Sequence, residues 1–231
     1  MEVVLFFLRW IHFLAGITWI GILYYFNFVQ TPFFAETEAA VRTGAVQKLV
    51  PRALWWFRWG AMFTFLAGIL IYLIRMHEMG GGLFFSSSYG VTITLGGLMG
   101  TIMFLNVWLV IWPRQQIVIA STNQVAQGGQ ALPTAAGAAR RAALASRTNT
   151  LFSIPMLFFM GAASHYASIL GPSGATGLFW LLALVIIAAV EYNCLAGTQG
   201  VTKKPLDSVS GTLWAGFILT AIFYVLFLWL T

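Results

Sequence analysis

The chain contains six apolar stretches, each close to the length that an α-helix needs to cross a lipid bilayer. They run from Val3 to Phe28, Trp55 to Ile74, Val91 to Trp112, Leu151 to Leu170, Thr176 to Leu195 and Leu213 to Leu230. A spanning helix requires about 20 apolar residues, because the hydrocarbon core is about 30 Å thick. Backbone polar groups in lipid must be satisfied within the segment itself. The sequence therefore predicts an all-α integral membrane bundle of six transmembrane helices.

The composition excludes an ordinary soluble domain. Hydrophobic residues make up 60% of the 231 residues and charged residues only 8%, whereas charged residues are about 25% of a typical soluble chain. Because the spans occupy most of this length, we expect residues 1–231 to form a single membrane domain. The first stretch has no basic n-region and no small-residue cleavage pattern, so we expect it to remain in the mature protein.

Lysine and arginine are distributed unevenly between the two sides of the predicted bundle. Ten of the twelve lie in or beside three basic loops, at residues 31–54, 113–149 and 196–210, and only Arg9 and Arg75 mark the other side. Positively charged flanks stay in the cytoplasm. We therefore expect both termini on the periplasmic side of a bacterial inner membrane. The net charge of +6 then needs no nucleic-acid partner, since basic loops face anionic lipid.

Two histidines, His12 and His165, lie inside apolar spans at a similar predicted depth below the outer surface. Neutral imidazoles at matched depth can bind one metal ion. Gly16 follows His12 by four residues and Gly161 precedes His165 by four, so each glycine is predicted one turn deeper on the same helix face. With Gly68 nearby, the missing side chains would leave a groove for a flat macrocycle. The pattern predicts a b-type haem bound by both histidines, and glycine-mediated helix packing is the alternative.

The third histidine, His77, is predicted at the outer interface, where a solvated side chain is the simpler interpretation. His77 or Arg75 could instead bind a haem propionate, and Arg9 could do so from the first helix. A three-histidine copper or zinc site would join His77 to His12 and His165. The predicted difference in depth argues against that site.

A second polar cluster is predicted near the cytoplasmic side of the membrane, at Arg58, Asn106 and Glu191. Ionisable groups inside a membrane are costly and are normally paired. Arg58 and Glu191 have opposite charge and similar predicted depth, so we expect an ion pair between them. An architectural role and a substrate or proton site are both open interpretations of this cluster.

Four segments of the chain resemble one known family. They are residues 10–30 (WIHFLAGITWIGILYYFNFVQ), 49–59 (LVPRALWWFRW), 99–113 (MGTIMFLNVWLVIWP) and 146–165 (SRTNTLFSIPMLFFMGAASH). Together they closely resemble the membrane domain of the bacterial membrane-bound urate oxidase (urate hydroxylase) family. The resemblance implies a membrane domain that precedes a cytochrome c domain in the urate-oxidising members. That cytochrome takes the electrons as urate is oxidised to 5-hydroxyisourate.

The sequence departs from this family pattern after the sixth span. Its single cysteine, Cys194, excludes the CxxCH motif that a fused cytochrome and a covalent c-type haem would need. One function left open is a membrane oxidoreductase or electron-transfer protein whose partner is a separate periplasmic cytochrome c. The other is a structural or accessory subunit of a larger respiratory or photosynthetic membrane complex. A transporter is less favoured, since the sequence shows no inverted repeat.

Overall fold

Long helices form wherever the sequence is apolar. The computed structural model describes residues 1–166 and 177–231, and no β-strand occurs among them. In chain order the helices are α1 (Glu2–Glu36), α2 (Ala39–Lys48), α3 (Val50–Met79), α4 (Gly81–Ser86), α5 (Ser88–Ala126), α6 (Ala135–His165), α7 (Gly177–Leu195) and α8 (Val209–Leu230). A short 3-10 segment, Val201–Asp207, precedes α8.

Five of the described helices, α1, α3, α5, α7 and α8, are long and apolar enough to cross a membrane. The chain is therefore a multi-pass membrane protein. All but the fourth predicted span fall in these helices, although Thr176 lies outside the described residues. The segment 113–149, predicted as a basic loop, is instead mostly helical. α5 continues to Ala126 and α6 begins at Ala135, because polar residues can extend a helix beyond the hydrocarbon layer.

The fourth predicted span, 151–170, falls on α6, and its residues 167–170 lie outside the described part of the chain. α6 is not among the five apolar helices. It packs against α1, α5, α7 and α8 and is the central helix of the bundle. Five consecutive or nearly consecutive polar side chains of α6 are buried: Arg147, Thr148, Asn149, Thr150 and Ser153. These side chains meet protein rather than lipid, which explains their presence in a membrane protein.

Two glycines let neighbouring helices approach α6 closely. A Cβ atom on Gly96 of α5 would lie 2.8 Å from Met160 Cγ, and one on Gly216 of α8 would lie 2.9 Å from the Leu151 carbonyl oxygen. Real Cβ atoms do not approach other atoms so closely. Small residues at such positions are typical of helix packing in membranes, where close backbone contact replaces the hydrophobic effect.

α1 and α5 each contain a π-helical turn just before a proline. The turns are Tyr25–Gln30, followed by Pro32, and Asn106–Ile111, followed by Pro113. Proline has no N–H to donate, and its ring crowds the carbonyl four residues earlier. In α5 the Arg114 guanidinium donates to two carbonyls of the π turn, each at 3.2 Å. The wider turn and the arginine together let α5 continue past its proline.

The helix directions place both termini at the same end of the bundle. α1 runs antiparallel to α3, α3 to α5, and α5 to α6. α6 and α8 run parallel, because Leu151 lies beside Gly216 and Phe159 beside Phe223. We name the end with the start of α1 and the end of α8 the terminal end, and the opposite end the basic end.

Candidate functional site

His12 lies at the crossing of α1 and α3, with its side chain half-buried. Its Nδ1 is 2.9 Å from the Thr64 carbonyl oxygen. A carbonyl oxygen only accepts hydrogen bonds, so Nδ1 carries the hydrogen and donates it. In the neutral imidazole the remaining lone pair is then on Nε2. The backbone of α3 thereby selects the tautomer of His12 and leaves the lone pair on Nε2.

Glycines allow the close crossing that holds His12. A Cβ on Gly68 would lie 3.0 Å from His12 Cε1, and one on Gly60 would lie 3.1 Å from the Trp19 backbone nitrogen. Gly16, predicted to line a haem groove, faces Thr64 at an ordinary contact distance of 3.8 Å. In the structure, Gly68 makes room for the imidazole itself, and Gly16 contributes to helix packing.

His165 is the last residue of α6, and its side chain is exposed at the terminal end. In the described part of the chain its ring makes no hydrogen bond, and none links it to His12. A Cβ on Gly161, one turn earlier, would meet no atom within 4 Å. The fold therefore brings both histidines to the terminal half of the bundle but does not show their rings together.

The other residues predicted to assist a cofactor also lie near the terminal end. Arg75 is already paired, with Nη1 2.8 Å from Glu78 Oε2 and 3.7 Å from Glu2 Oε1. Arg9 is half-buried and forms no ion pair with any described residue, which leaves it as the free cation here. His77 is exposed in the last turn of α3. Within residues 1–166 and 177–231, no three metal-binding side chains come together.

A second polar site is buried in the basic half of the bundle, where α5 and α7 meet α6. Asn106 Nδ2 donates to Asn149 Oδ1 at 3.0 Å and to Glu191 Oε2 at 3.1 Å. Asn149 in turn donates to the Met103 carbonyl oxygen at 2.9 Å. Asn106 and Asn149 are 2% and 0% exposed. The two amides thus form a hydrogen bond with each other, and Asn106 also binds the side chain of Glu191 on α7.

The π turn of α1 also contains an asparagine, Asn27, whose side chain bonds to α6. Asn27 Nδ2 donates to Ser146 Oγ at 2.8 Å, and the hydroxyls of Tyr24 and Ser153 are 2.8 Å apart. Asn27 and Asn106 therefore each lie in a π turn and each bond to the central helix. The sequence prediction missed Ser146 and Asn149 because it placed both residues in or beside a loop.

The ion pair predicted between Arg58 and Glu191 is wrong, since none of the ion pairs among the described residues joins them. The Arg58 Cζ atom lies 3.9 Å from the ring centroid of Trp112 and 5.6 Å from that of Trp108. Cation–π contacts therefore hold this guanidinium. Glu191 instead accepts a hydrogen bond from Asn106. Arg58 Nε and Trp108 Nε1 are buried without a hydrogen-bond partner among the residues that the structure describes.

Two cationic side chains cap the C-terminal end of α7, at the basic end of the bundle. Lys203 Nζ donates to the carbonyl oxygens of Asn193 and Ala196, and Arg141 Nη1 donates to that of Cys194 at 2.6 Å. The last carbonyls of a helix lack backbone partners and carry partial negative charge. Burial, and then the positive charge of Arg141, lower the pKa of Lys203. These contacts explain two of the basic residues, Lys203 and Arg141, as caps of the helix C-terminus.

Comparison with known protein families matches residues 83–225 to the family described as Urate oxidase N-terminal. The matched region covers α5, α6 and α7 and most of α8, and it includes Asn106, Asn149, Glu191 and His165. His12 lies before it. No curated protein matches the chain, and no solved structure matches it.

Proposed function

The chain belongs to the urate oxidase N-terminal family, and from this premise we propose that it is a membrane oxidoreductase of the urate oxidase type. The proposal has α6 cross the membrane with the five apolar helices, in a bacterial inner membrane. The terminal end then faces the periplasm, because the basic end carries most of the lysines and arginines. Electrons leave from the terminal end to a periplasmic cytochrome c.

The observation that carries the proposal is the hydrogen bond from His12 to the Thr64 carbonyl. Metal-binding histidines almost always donate their other ring N–H to a carbonyl, a carboxylate or water, which fixes the tautomer and the ring orientation. His12 has such a partner at 2.9 Å. These residues fit a b-type haem, whose iron His12 Nε2 would bind. His165 is the second ligand that we propose.

Other residues of the terminal half would support the same cofactor. Arg9 forms no ion pair with any described residue and suits a propionate, whereas Arg75 is already paired with Glu2 and Glu78. No described residue lies within 4 Å of a Cβ placed on Gly161, which leaves space beside α6 in the described part of the chain. A haem bound here would accept electrons one at a time and pass them on. In the overall reaction, urate gains the oxygen of one water and loses two electrons and two protons.

The first experiment is a reduced-minus-oxidised visible spectrum of the purified full chain. We expect a sharp α band that His12→Ala abolishes and that His77→Ala, a change at an exposed histidine, leaves intact. His165→Ala tests the second ligand separately, because loss or displacement of the band identifies bis-histidine ligation. A colourless, metal-free preparation of the folded protein contradicts haem binding.

The second experiment tests the substrate. Membranes that contain the protein are supplied with urate, with and without added cytochrome c, and urate loss and cytochrome reduction are followed together. We expect cytochrome reduction to depend on both urate and the protein. Inactivity in both samples, from a preparation that does show the haem band, contradicts urate as the substrate and leaves the haem proposal standing.

An accessory subunit of a larger membrane complex is the second candidate. The observation in its favour is that the glycines and asparagines, in the contacts that the structure describes, serve helix packing and internal hydrogen bonding. A protein without colour that purifies with other membrane subunits supports this function instead.

A further inference from the structure

The start of α3, at the basic end, carries a shallow, open groove that the proposed redox function does not use. It is lined by Pro51, Arg52, Trp55 and Trp56. The two indoles are 47% and 58% exposed. Arg52 is exposed and forms no ion pair with any described residue. The groove therefore combines an unneutralised cation with two large amphipathic rings.

A second unneutralised arginine lies behind the groove. Ring contacts lead inward from Trp55 to Trp59, at 6.4 Å between centroids, and from Trp59 to Trp108, at 5.7 Å. Arg58 lies over Trp108, and its charge has no anionic partner in the described chain. Positive charge therefore lies at two levels of α3: Arg52 is in the groove, and Arg58 is one to two turns deeper among the tryptophans.

The position of the groove corresponds to the lipid headgroups. α3 has 30 residues and is about 45 Å long at 1.5 Å per residue, whereas the hydrocarbon core is about 30 Å thick. When the apolar part of α3 spans that core, its first turns lie at the headgroup level. Exposed Phe63, Leu66, Leu70 and Leu73 follow on one face of the helix. This apolar stripe leads from the groove into the hydrocarbon.

We propose that the groove binds the headgroup of an anionic phospholipid. The phosphate is bound by Arg52 and attracted by Arg58, the indoles of Trp55 and Trp56 enclose the glycerol region, and the acyl chains lie along the apolar stripe. A cationic groove at the end of an apolar stripe is complementary to a molecule with an anionic head and apolar tails. Basic groups at this level favour anionic over zwitterionic lipid.

Native mass spectrometry of the detergent-purified full chain tests this site. The protein is titrated with phosphatidylglycerol or with phosphatidylcholine of the same acyl chains. We expect about fivefold preference for phosphatidylglycerol from each basic side chain that contacts it. Arg52→Gln should remove most of that preference, whereas Lys204→Gln, at an exposed lysine in another basic segment, should leave it unchanged. Equal retention of the two lipids, or equal loss in both variants, overturns the proposal.

Two further variants separate the site from general charge attraction. Trp55→Phe with Trp56→Phe keeps the net charge and should reduce retention of both lipids, whereas Trp229→Phe, at an exposed indole of the terminal end, should not. Circular dichroism checks that the variants remain helical. Inorganic phosphate and glycerol 3-phosphate are the competing probes. Displacement of the lipid by either of them at equal concentration assigns the site to free phosphate and overturns the lipid proposal.

Discussion

At the scale of single residues, the space beside His12 depends on one missing methyl group. A Cβ on Gly68 would lie 3.0 Å from His12 Cε1 and 3.3 Å from Nδ1. The ring would have to move by a few tenths of an ångström, away from the carbonyl that fixes its tautomer. The proposed ligand orientation therefore rests on a glycine of the neighbouring helix.

We expect Gly68→Ala to lower haem retention without unfolding the protein. Alanine favours helix over glycine by about 1 kcal/mol, so the loss of cofactor would come from displacement of the ring. Haem per polypeptide, from the visible spectrum, is the measurement. Gly97→Ala is the matched control, because a Cβ there meets no atom within 4 Å. Equal haem content in the two variants would show that Gly68 does not position His12.

Asn149 is the residue whose loss should cost the most stability in the buried polar site. Asn149→Leu removes one partner of Asn106 and leaves the Met103 carbonyl without its side-chain donor. Each buried group left unpaired costs about 1–3 kcal/mol, so we expect a clearly lower Tm in detergent. Asn123→Leu is the control, since the Asn123 side chain makes no hydrogen bond in the described structure. An unchanged Tm for Asn149→Leu would mean that the network does not stabilise the fold.

Residue types were more predictable from the sequence than their partners. His12, Asn106 and Glu191 could be selected because polar groups in apolar spans are rare and need partners. The partners depend on how each helix is rotated, which hydropathy does not specify. Arg58 illustrates this limit, because its predicted depth was compatible with Glu191 while its side chain lies over two indoles of α5.

At the scale of the helices, prolines determine where the two π turns form. Pro113 cannot donate to the carbonyl of Leu109, and the Arg114 guanidinium donates to that carbonyl at 3.2 Å. The side chain of one residue thus replaces the backbone donor that its neighbour lacks. The same turn carries Asn106 into the bundle, so the proline also affects the buried polar site.

A double-mutant cycle at Pro113 and Arg114 tests this substitution of donors. Arg114→Gln alone should destabilise the protein, by about 1 kcal/mol for the lost hydrogen bonds. In the Pro113→Ala background the backbone N–H is restored, so the same Arg114→Gln change should cost less. Thermal unfolding of the four proteins in detergent gives the coupling. Additive effects would show that the arginine acts independently of the proline.

Helix existence was predictable, whereas helix ends and the character of α6 were not. The hydropathy pattern detects the part of a helix that contacts lipid, and α3 and α5 continue beyond it. α6 is less apolar because its polar side chains are buried among the other helices. Its role as the central helix follows from contacts between distant segments, which a local pattern does not contain.

At the scale of the whole molecule, the start of α1 and the end of α8 lie at the same end of the bundle. We therefore predict that both face the periplasm. Alkaline phosphatase fused after Thr231 should be active, because this reporter folds in the periplasm, and green fluorescent protein at the same site should be dark. The two reporters inserted after Gly129, between α5 and α6, should give the opposite pattern. A fluorescent fusion after Thr231 would invert the proposed orientation and with it the side on which cytochrome c docks.

The buried polar face of α6 also has a consequence for how the protein is made. A segment that carries Arg147 and Asn149 partitions poorly into lipid when it leaves the ribosome alone. It should stay beside the insertion machinery until α7 and α8 emerge and cover it. Chains stopped before α8 would then expose α6 and become substrates for membrane proteases, so assembly of this bundle is completed by its last helix.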